Sequence, residues 1–269
     1  MRVRLLGTGS ADGWPQAFCR CESCAAQRAG GVIRVPTSAL VDDVLLIDGN
    51  ADSPGAATRA GGDLAEVRHL LVSHAHVDHL APQLLLFRSW VDDGPLDVIG
   101  PAAVLDACRP WVAPDAPVRW VEVHAGDAID LGTHRVRVLP ANHRVMAPGD
   151  AVLYDVTARD GGRLLWGCDT GPWDDAWVRA VAEADYDVVV LEETFGLATD
   201  VSDGHLHLES FAELVAALRG VGAVNDSTDV VAVHLSHHNP PETELRARLA
   251  VVGARPGRDG EAFSTADRA

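Results

Sequence analysis

The sequence predicts an α/β fold in which two β-sheets pack face to face and helices cover the outer faces. Three observations carry that expectation. Strands and hairpins come first, and strand and helix then alternate, twice over. Several strands are apolar throughout, as strands covered on both faces are. The 269 residues, 47% hydrophobic and 23% charged, can bury a large core, so one domain over residues 1–269 is expected.

Val3 to Leu6 opens as a strand. Residues 11 to 37 then form a long loop holding Pro15, a cysteine cluster and Gly30-Gly31; a structureless loop of that length is expected to carry a function or an internal staple. Ala39 to Ile47 is strand, broken at Asp42-Asp43 as a hairpin turn would break it. Leu70 to Ser73 is a strand, Pro82 to Trp90 a helix, Val98-Ile99 a short strand and Pro101 to Cys108 a helix. Strands follow at Val118 to Val123, His134 to Leu139, Ala151 to Thr157 and Leu164 to Gly167. Asp174 to Ala184 has Trp177, Val178 and Val181 on one helical face, and Asp187 to Leu191 is a buried strand. Phe211, Leu214, Val215 and Leu218 recur at helical spacing, Asp229 to His234 is the next buried strand, and Glu242 to Leu249 the next helix. The tail from Gly253 is rich in Gly, Arg and Asp, and its end is expected to fray.

Twenty-two Lys and Arg against 39 Asp and Glu leave a formal charge of −17. Such a surface repels nucleic acid and acidic membranes, except where a bound divalent cation reverses the sign locally. No charged-then-apolar leader and no membrane-length apolar run is visible, so a cytoplasmic location is expected. Of five cysteines, Cys19, Cys21 and Cys24 crowd together, which suits metal ligation better than a disulfide framework.

Residues 74 to 79 read His-Ala-His-Val-Asp-His, four donors within six positions directly after a strand. Side chains fanning from a turn at the strand end can converge, and imidazoles with a carboxylate suit Zn²⁺, Mn²⁺ or Fe²⁺. Further donors are expected at other strand ends, where His143, Asp169 and His234 stand.

His74, His76, Asp78 and His79 give the chain the His-x-His-x-Asp-His motif, and with it the chain resembles the metallo-β-lactamase superfamily over nearly its whole length. The resemblance implies the αββα sandwich, with two mixed β-sheets and helices on the outer faces. It implies a binuclear site of Zn²⁺ or Mn²⁺: His74, His76 and His143 around one ion, Asp78, His79 and His234 around the other, and Asp169 bridging them. Asp48 resembles the carboxylate that orients a ligand imidazole through its other ring nitrogen.

Cys19, Cys21 and Cys24 supply three thiolates, one short of a closed structural Zn²⁺ site. His237, three residues after His234, is the expected fourth ligand, with His238 in reserve. Such a zinc would pin the loop of residues 11–37 against the last strand. Together with Gly7-Thr8-Gly9-Ser10 and His234-Leu-Ser-His, the cluster looks like the branch typified by the phosphoribosyl cyclic phosphodiesterase of phosphonate breakdown. The resemblance implies hydrolysis of a small cyclic or nucleotide-like phosphodiester by a metal-bound hydroxide. A histidine is then needed to protonate the leaving alkoxide. His205 in Gly204-His-Leu-His is the first choice and His207 the second; with the ligand Asp78 they make up the catalytic candidates.

Two alternatives stay open: a transfer-RNA 3′-processing nuclease, which the net charge disfavours, and a zinc-binding cofactor-biosynthesis protein of the pyrroloquinoline-quinone type without turnover. The expected partner is a small phosphodiester rather than nucleic acid or membrane, and a homodimer is compatible with the sequence.

Overall fold

The computed structural model describes residues 1–91, 94–201 and 203–265. In chain order it contains β1 (Arg2–Gly7), α1 (Glu22–Gly30), β2 (Ser38–Val41), β3 (Leu45–Ile47), α2 (Ser53–Arg59), β4 (His69–Leu71), α3 (Gln83–Ser89), β5 (Leu96–Gly100), α4 (Ala102–Cys108) and β6 (Val118–Glu122). There follow β7 (Ala128–Asp130), β8 (His134–Pro140), β9 (Val152–Ala158), β10 (Arg163–Gly167), α5 (Asp175–Ala180), β11 (Val188–Glu192), α6 (Leu208–Gly220), β12 (Asp229–Val233), α7 (Glu242–Ala250), β13 (Ala254–Pro256) and β14 (Ala262–Ser264).

Two mixed sheets of seven strands result, ordered β14-β1-β2-β3-β4-β5-β6 and β13-β12-β11-β10-β9-β8-β7. Each has three antiparallel pairings followed by three parallel ones, so the two halves repeat one topology without a repeat legible in the sequence. Between the sheets, Val3, Leu5, Ile47 and Leu71 meet Val136, Tyr154, Trp166 and Val190. The outer face of the first sheet packs under α2–α4 through Leu46, Leu70, Val104 and Leu105. That of the second packs under α5–α7 through Val178, Phe211, Leu214 and Leu245. β11 is buried at every residue, which explains its unbroken apolar run. The architecture is the αββα sandwich expected from the sequence. Among the described residues no helix is long and apolar enough to cross a membrane.

The Asp42-Asp43 break lies in the three-residue connection between Val41 and Leu45, with Asp42 and Asp43 at left-handed φ of 47° and 61°. Other expectations are corrected. Residues 11–37 are not structureless: Cys21 caps α1 by accepting the Cys24 N–H. The loop is also stapled by protein atoms, since buried Arg34 donates to the Thr8 hydroxyl at 2.8 Å and to Glu242 at 2.7 Å, and the Trp14 indole donates to Ser23 at 3.0 Å. The helix expected over 174–184 ends at Ala180, and the strand expected from Asp187 begins at Val188 and runs on to Glu192. The tail is not loose, because β13 and β14 edge the two sheets; the end expected to fray falls largely on 266–269, outside the described residues.

Gly7 and Gly9 have a steric reason. A Cβ on Gly7 would collide with the Pro36 carbonyl oxygen, and one on Gly9 would stand 2.7 Å from that of Arg34. Gly7→Ala is therefore expected to cost about 1–3 kcal/mol by overpacking, read as a lowered midpoint in thermal melting; an unchanged midpoint would show that the loop yields freely.

Candidate metal centre

Every donor at the centre leaves the carboxyl end of a strand, the end at which open α/β sheets present their ligands. Asp48 ends β3, residues 72–79 follow β4, His143 follows β8, Asp169 follows β10, Glu192 closes β11 and His234 follows β12. Asp48, Asp169 and His234 take left-handed backbone angles, with φ of 57°, 55° and 57°. Such angles cost a non-glycine residue free energy and cluster at functional sites, where they turn a side chain out of the strand direction.

Two donor groups hold the ligands expected from sequence. His74, His76, His143 and Asp169 make the first; Asp78, His79, Asp169 and His234 make the second; a further set, Asp169, Glu192, His205 and His234, overlaps the second. In the first, the His76 Nδ1 lies 2.9 Å from the His74 Nε2 and 3.1 Å from the His143 Nε2. His143 Nδ1–H donates to the Gly204 carbonyl at 3.1 Å, which fixes the ring with its Nε2 towards the group. Burial, reinforced by the neighbouring His79, lowers the His74 pKa to about 4, and burial also lowers that of His76, so both rings are neutral at pH 7. Three ring nitrogens converging on one point suit a cation held between them.

In the second group, the His79 Nδ1 faces Asp48 at 3.1 Å. Asp48 also accepts from the Ser73 N–H at 2.7 Å and the Trp166 indole at 2.9 Å, which fixes its carboxylate. The His79 Nε2 is buried and makes no hydrogen bond, although Asp78 and Asp169 lie 3.1 and 3.2 Å away. Burial works against a charge on His79, but Asp169, Asp78 and Asp48 outweigh it and drive a proton onto the ring. A divalent cation held there would supply that charge instead and satisfy the orphaned nitrogen. Burial likewise opposes ionisation of Asp78 and Asp169, yet the surrounding imidazoles hold both carboxyls well below the usual range. Asp169 belongs to both groups: its Oδ2 is 3.4 Å from His74 and 3.2 Å from His79, and its Oδ1 is 3.2 Å from His234. Imidazole nitrogens and ionised carboxylates in two groups sharing one acid fit a pair of divalent ions.

His205 stands over this centre, with its ring stacked on His234 at 5.3 Å and 4.8 Å from that of His143. Its Nδ1 is held by Glu192 at 2.8 Å. Burial opposes charge on His205, but Glu192 and Asp169 outweigh it and raise its pKa to about 9. Glu192 was not among the residues singled out from sequence. It is fully buried and accepts from the Thr170 and Gly171 N–H groups, both at 2.8 Å. The available signal was Glu192-Glu193 closing an apolar strand, where buried carboxylates call for partners.

His207 is corrected. It caps α6, its Nδ1 accepting the Ser210 N–H at 3.5 Å while Ser210 Oγ accepts the His207 N–H. His205 meets Glu192 at the centre, whereas His207 starts the helix.

Cys19, Cys21, Cys24 and His237 gather into a group apart from the centre. The His237 Nδ1 is 3.5 Å from Cys19 Sγ and 3.9 Å from Cys21 Sγ. The reserve His238 is outside it, its ring against His237 and Phe195. The Cys21 N–H lowers the Cys19 pKa and burial raises that of Cys24 to about 11. Three sulfurs and one imidazole nitrogen are a closed zinc donor set. Cys24→Ser is expected to lose about one equivalent of zinc and to lower the melting temperature; full zinc retention would contradict the assignment.

A groove of about 1030 Å³ opens beside the centre, with His143 and His205 on its wall.

The sequence profile of the β-lactamase superfamily domain matches residues 41–253. The chain belongs to the metallo-β-lactamase superfamily. Within it, a ribonuclease Z of Mycobacterium sp. (strain KMS) is 30% identical over 290 residues, covering 95% of this chain and 92% of that protein. Zn²⁺-bound PqqB from Methylobacterium extorquens superposes with a TM-score of 0.77 at 19% identity, over 98% of this chain and 100% of that one. A diphosphatase of the PhnP family does so with a TM-score of 0.74 at 18% identity, over 98% and 97%. These two likenesses establish the shared metallo-β-lactamase fold.

Proposed function

We propose that this chain is a metal-dependent phosphodiesterase acting on a small cyclic or nucleotide-like phosphate diester. The observation that carries the reading is the Glu192–His205 pair beside Asp169. A protonated imidazole, held by a buried carboxylate at the edge of a two-ion donor set, suits the protonation of a departing alkoxide.

His74, His76 and His143 would hold one ion, Asp78, His79 and His234 the other, and Asp169 both. Bound there, two divalent cations would lower the pKa of a shared water towards roughly 7 and polarise a phosphoryl oxygen. The chain's own residues do the rest. His205 carries its proton on Nε2, since Nδ1 is committed to Glu192, and delivers it to the leaving oxygen. Glu192 fixes the ring and stabilises its charge, and the Thr170 and Gly171 N–H groups stop that carboxylate from turning away. Asp48 orients His79, and Asp78 stays ionised across the neutral range.

The expected result with Zn²⁺- or Mn²⁺-loaded protein is hydrolysis of bis-p-nitrophenyl phosphate and of at least one member of a cyclic phosphodiester panel. Full metal loading without hydrolysis of either would overturn the reading and favour a non-hydrolytic role of the pyrroloquinoline-quinone type.

A second reading, transfer-RNA 3′ processing, is favoured by the mycobacterial relatives named ribonuclease Z. The charge of −17 weighs against a polyanionic substrate. Salt-sensitive binding and cleavage of a precursor tRNA would reverse that order.

A further inference from the structure

The groove beside the metal centre carries groups that breaking the diester does not require. Arg144 directly follows His143 and is exposed on the groove wall. Among the described residues it has no ion pair or side-chain hydrogen bond, and it is the one arginine or lysine lining the groove. Its loop is fixed: the Asp150 carboxylate accepts the N–H groups of Val145, Met146 and Ala147 at 2.9, 2.6 and 2.7 Å. That acid is thereby used by the backbone, and Arg144 is left for a ligand. Also on the wall is half-buried Trp177, among the described residues the only aromatic one there besides histidines. It lies in the first turn of α5, which Asp174 caps. Asp203 adds an acceptor next to Gly204, whose carbonyl holds His143.

We infer that this groove binds the portion of the substrate beyond the scissile phosphate, and that this portion is nucleoside-like and carries a second anionic group. A planar base lies against Trp177, a sugar hydroxyl donates to Asp203, and the second anion meets Arg144. The volume is that of a small-ligand site. One unpaired cation among the described residues of the groove, on an acidic chain, suits one additional phosphate or carboxylate rather than a polyanion. An aromatic face reads a base without regard to its identity, so the groove selects the class of nucleotide more than the particular one. The inference deepens the phosphodiesterase reading, resting on it for which end of the ligand lies at the ions.

Calorimetric titration of the zinc-loaded protein tests binding without turnover. The probes are ribose 5-phosphate, adenosine 5′-monophosphate and adenosine 3′,5′-bisphosphate. In the wild type, the monophosphate is expected to bind about fivefold tighter than the sugar phosphate through stacking. The bisphosphate should bind about tenfold tighter again through the guanidinium. Arg144→Ala should erase the second gap and keep the first, and Trp177→Ala the reverse. Equal affinities for the three probes in the wild type, or variants that keep both gaps, would overturn the inference. Because the readout is binding, gaps without hydrolysis of bis-p-nitrophenyl phosphate would sink only the phosphodiesterase reading, and hydrolysis without gaps would sink only the groove.

Discussion

Asp169→Ala is expected to remove activity by at least about 1,000-fold and to cut bound metal from about three equivalents per chain towards one. The reason is geometric. Its two oxygens serve different groups, Oδ2 facing His74 and His79 and Oδ1 facing His234, so no single-sided replacement is available. Loss of the carboxylate leaves both groups a ligand short and leaves the buried His79 Nε2 with Asp78 alone beside it. The zinc expected at Cys19, Cys21, Cys24 and His237 should remain, which supplies an internal control within one sample. Metal analysis and turnover of bis-p-nitrophenyl phosphate check both parts. A variant that keeps all its metal and more than a tenth of its activity would remove Asp169 from the bridging role.

His205→Ala separates binding from proton delivery. On a diester with an alkyl leaving group, loss of a general acid is expected to slow turnover by about 100- to 10,000-fold. On a p-nitrophenyl ester, whose leaving oxygen needs no proton, the loss should stay within about tenfold. Equal losses on both substrates would refute the acid role. Glu192→Gln supplies the companion result. Glu192 raises the His205 pKa, and the protonated ring is the proposed acid, so activity is expected to fall as pH rises through that pKa. Removing the carboxylate's charge lowers the pKa, and the alkaline limb of the pH–rate profile should move to lower pH. In the wild type that limb should lie no higher than about 9, since bound cations would only lower it. An alkaline limb unmoved by Glu192→Gln would contradict the pairing.

The donor set was legible in the sequence because much of it is contiguous. His74 to His79 stand in one turn, and His143, Asp169 and His234 each follow an apolar run that reads as a strand. Cys19, Cys21 and Cys24 were visible for the same reason. What stayed hidden depends on contacts between distant segments. β13 and β14 are three-residue edge strands in a stretch rich in Gly and Arg, and only pairing with β12 and β1 makes them strands. α1 is a capped helix with few buried residues, so no apolar stripe announces it. Glu192 sits at the last position of β11, and only the fold brings it against His205, thirteen residues on. The choice between His205 and His207 turned on which one caps α6, a matter of local geometry that Gly-His-Leu-His does not declare.

The account stands on two divalent cations sharing Asp169, and anomalous X-ray diffraction from crystals of zinc-loaded protein tests it most directly. It predicts two peaks in the centre about 3.5–4 Å apart, with ring nitrogens of His74, His76 and His143 about 2.0–2.1 Å from one and those of His79 and His234 as close to the other. A centre with no peak, or with one ion that Asp169 does not touch, would contradict it.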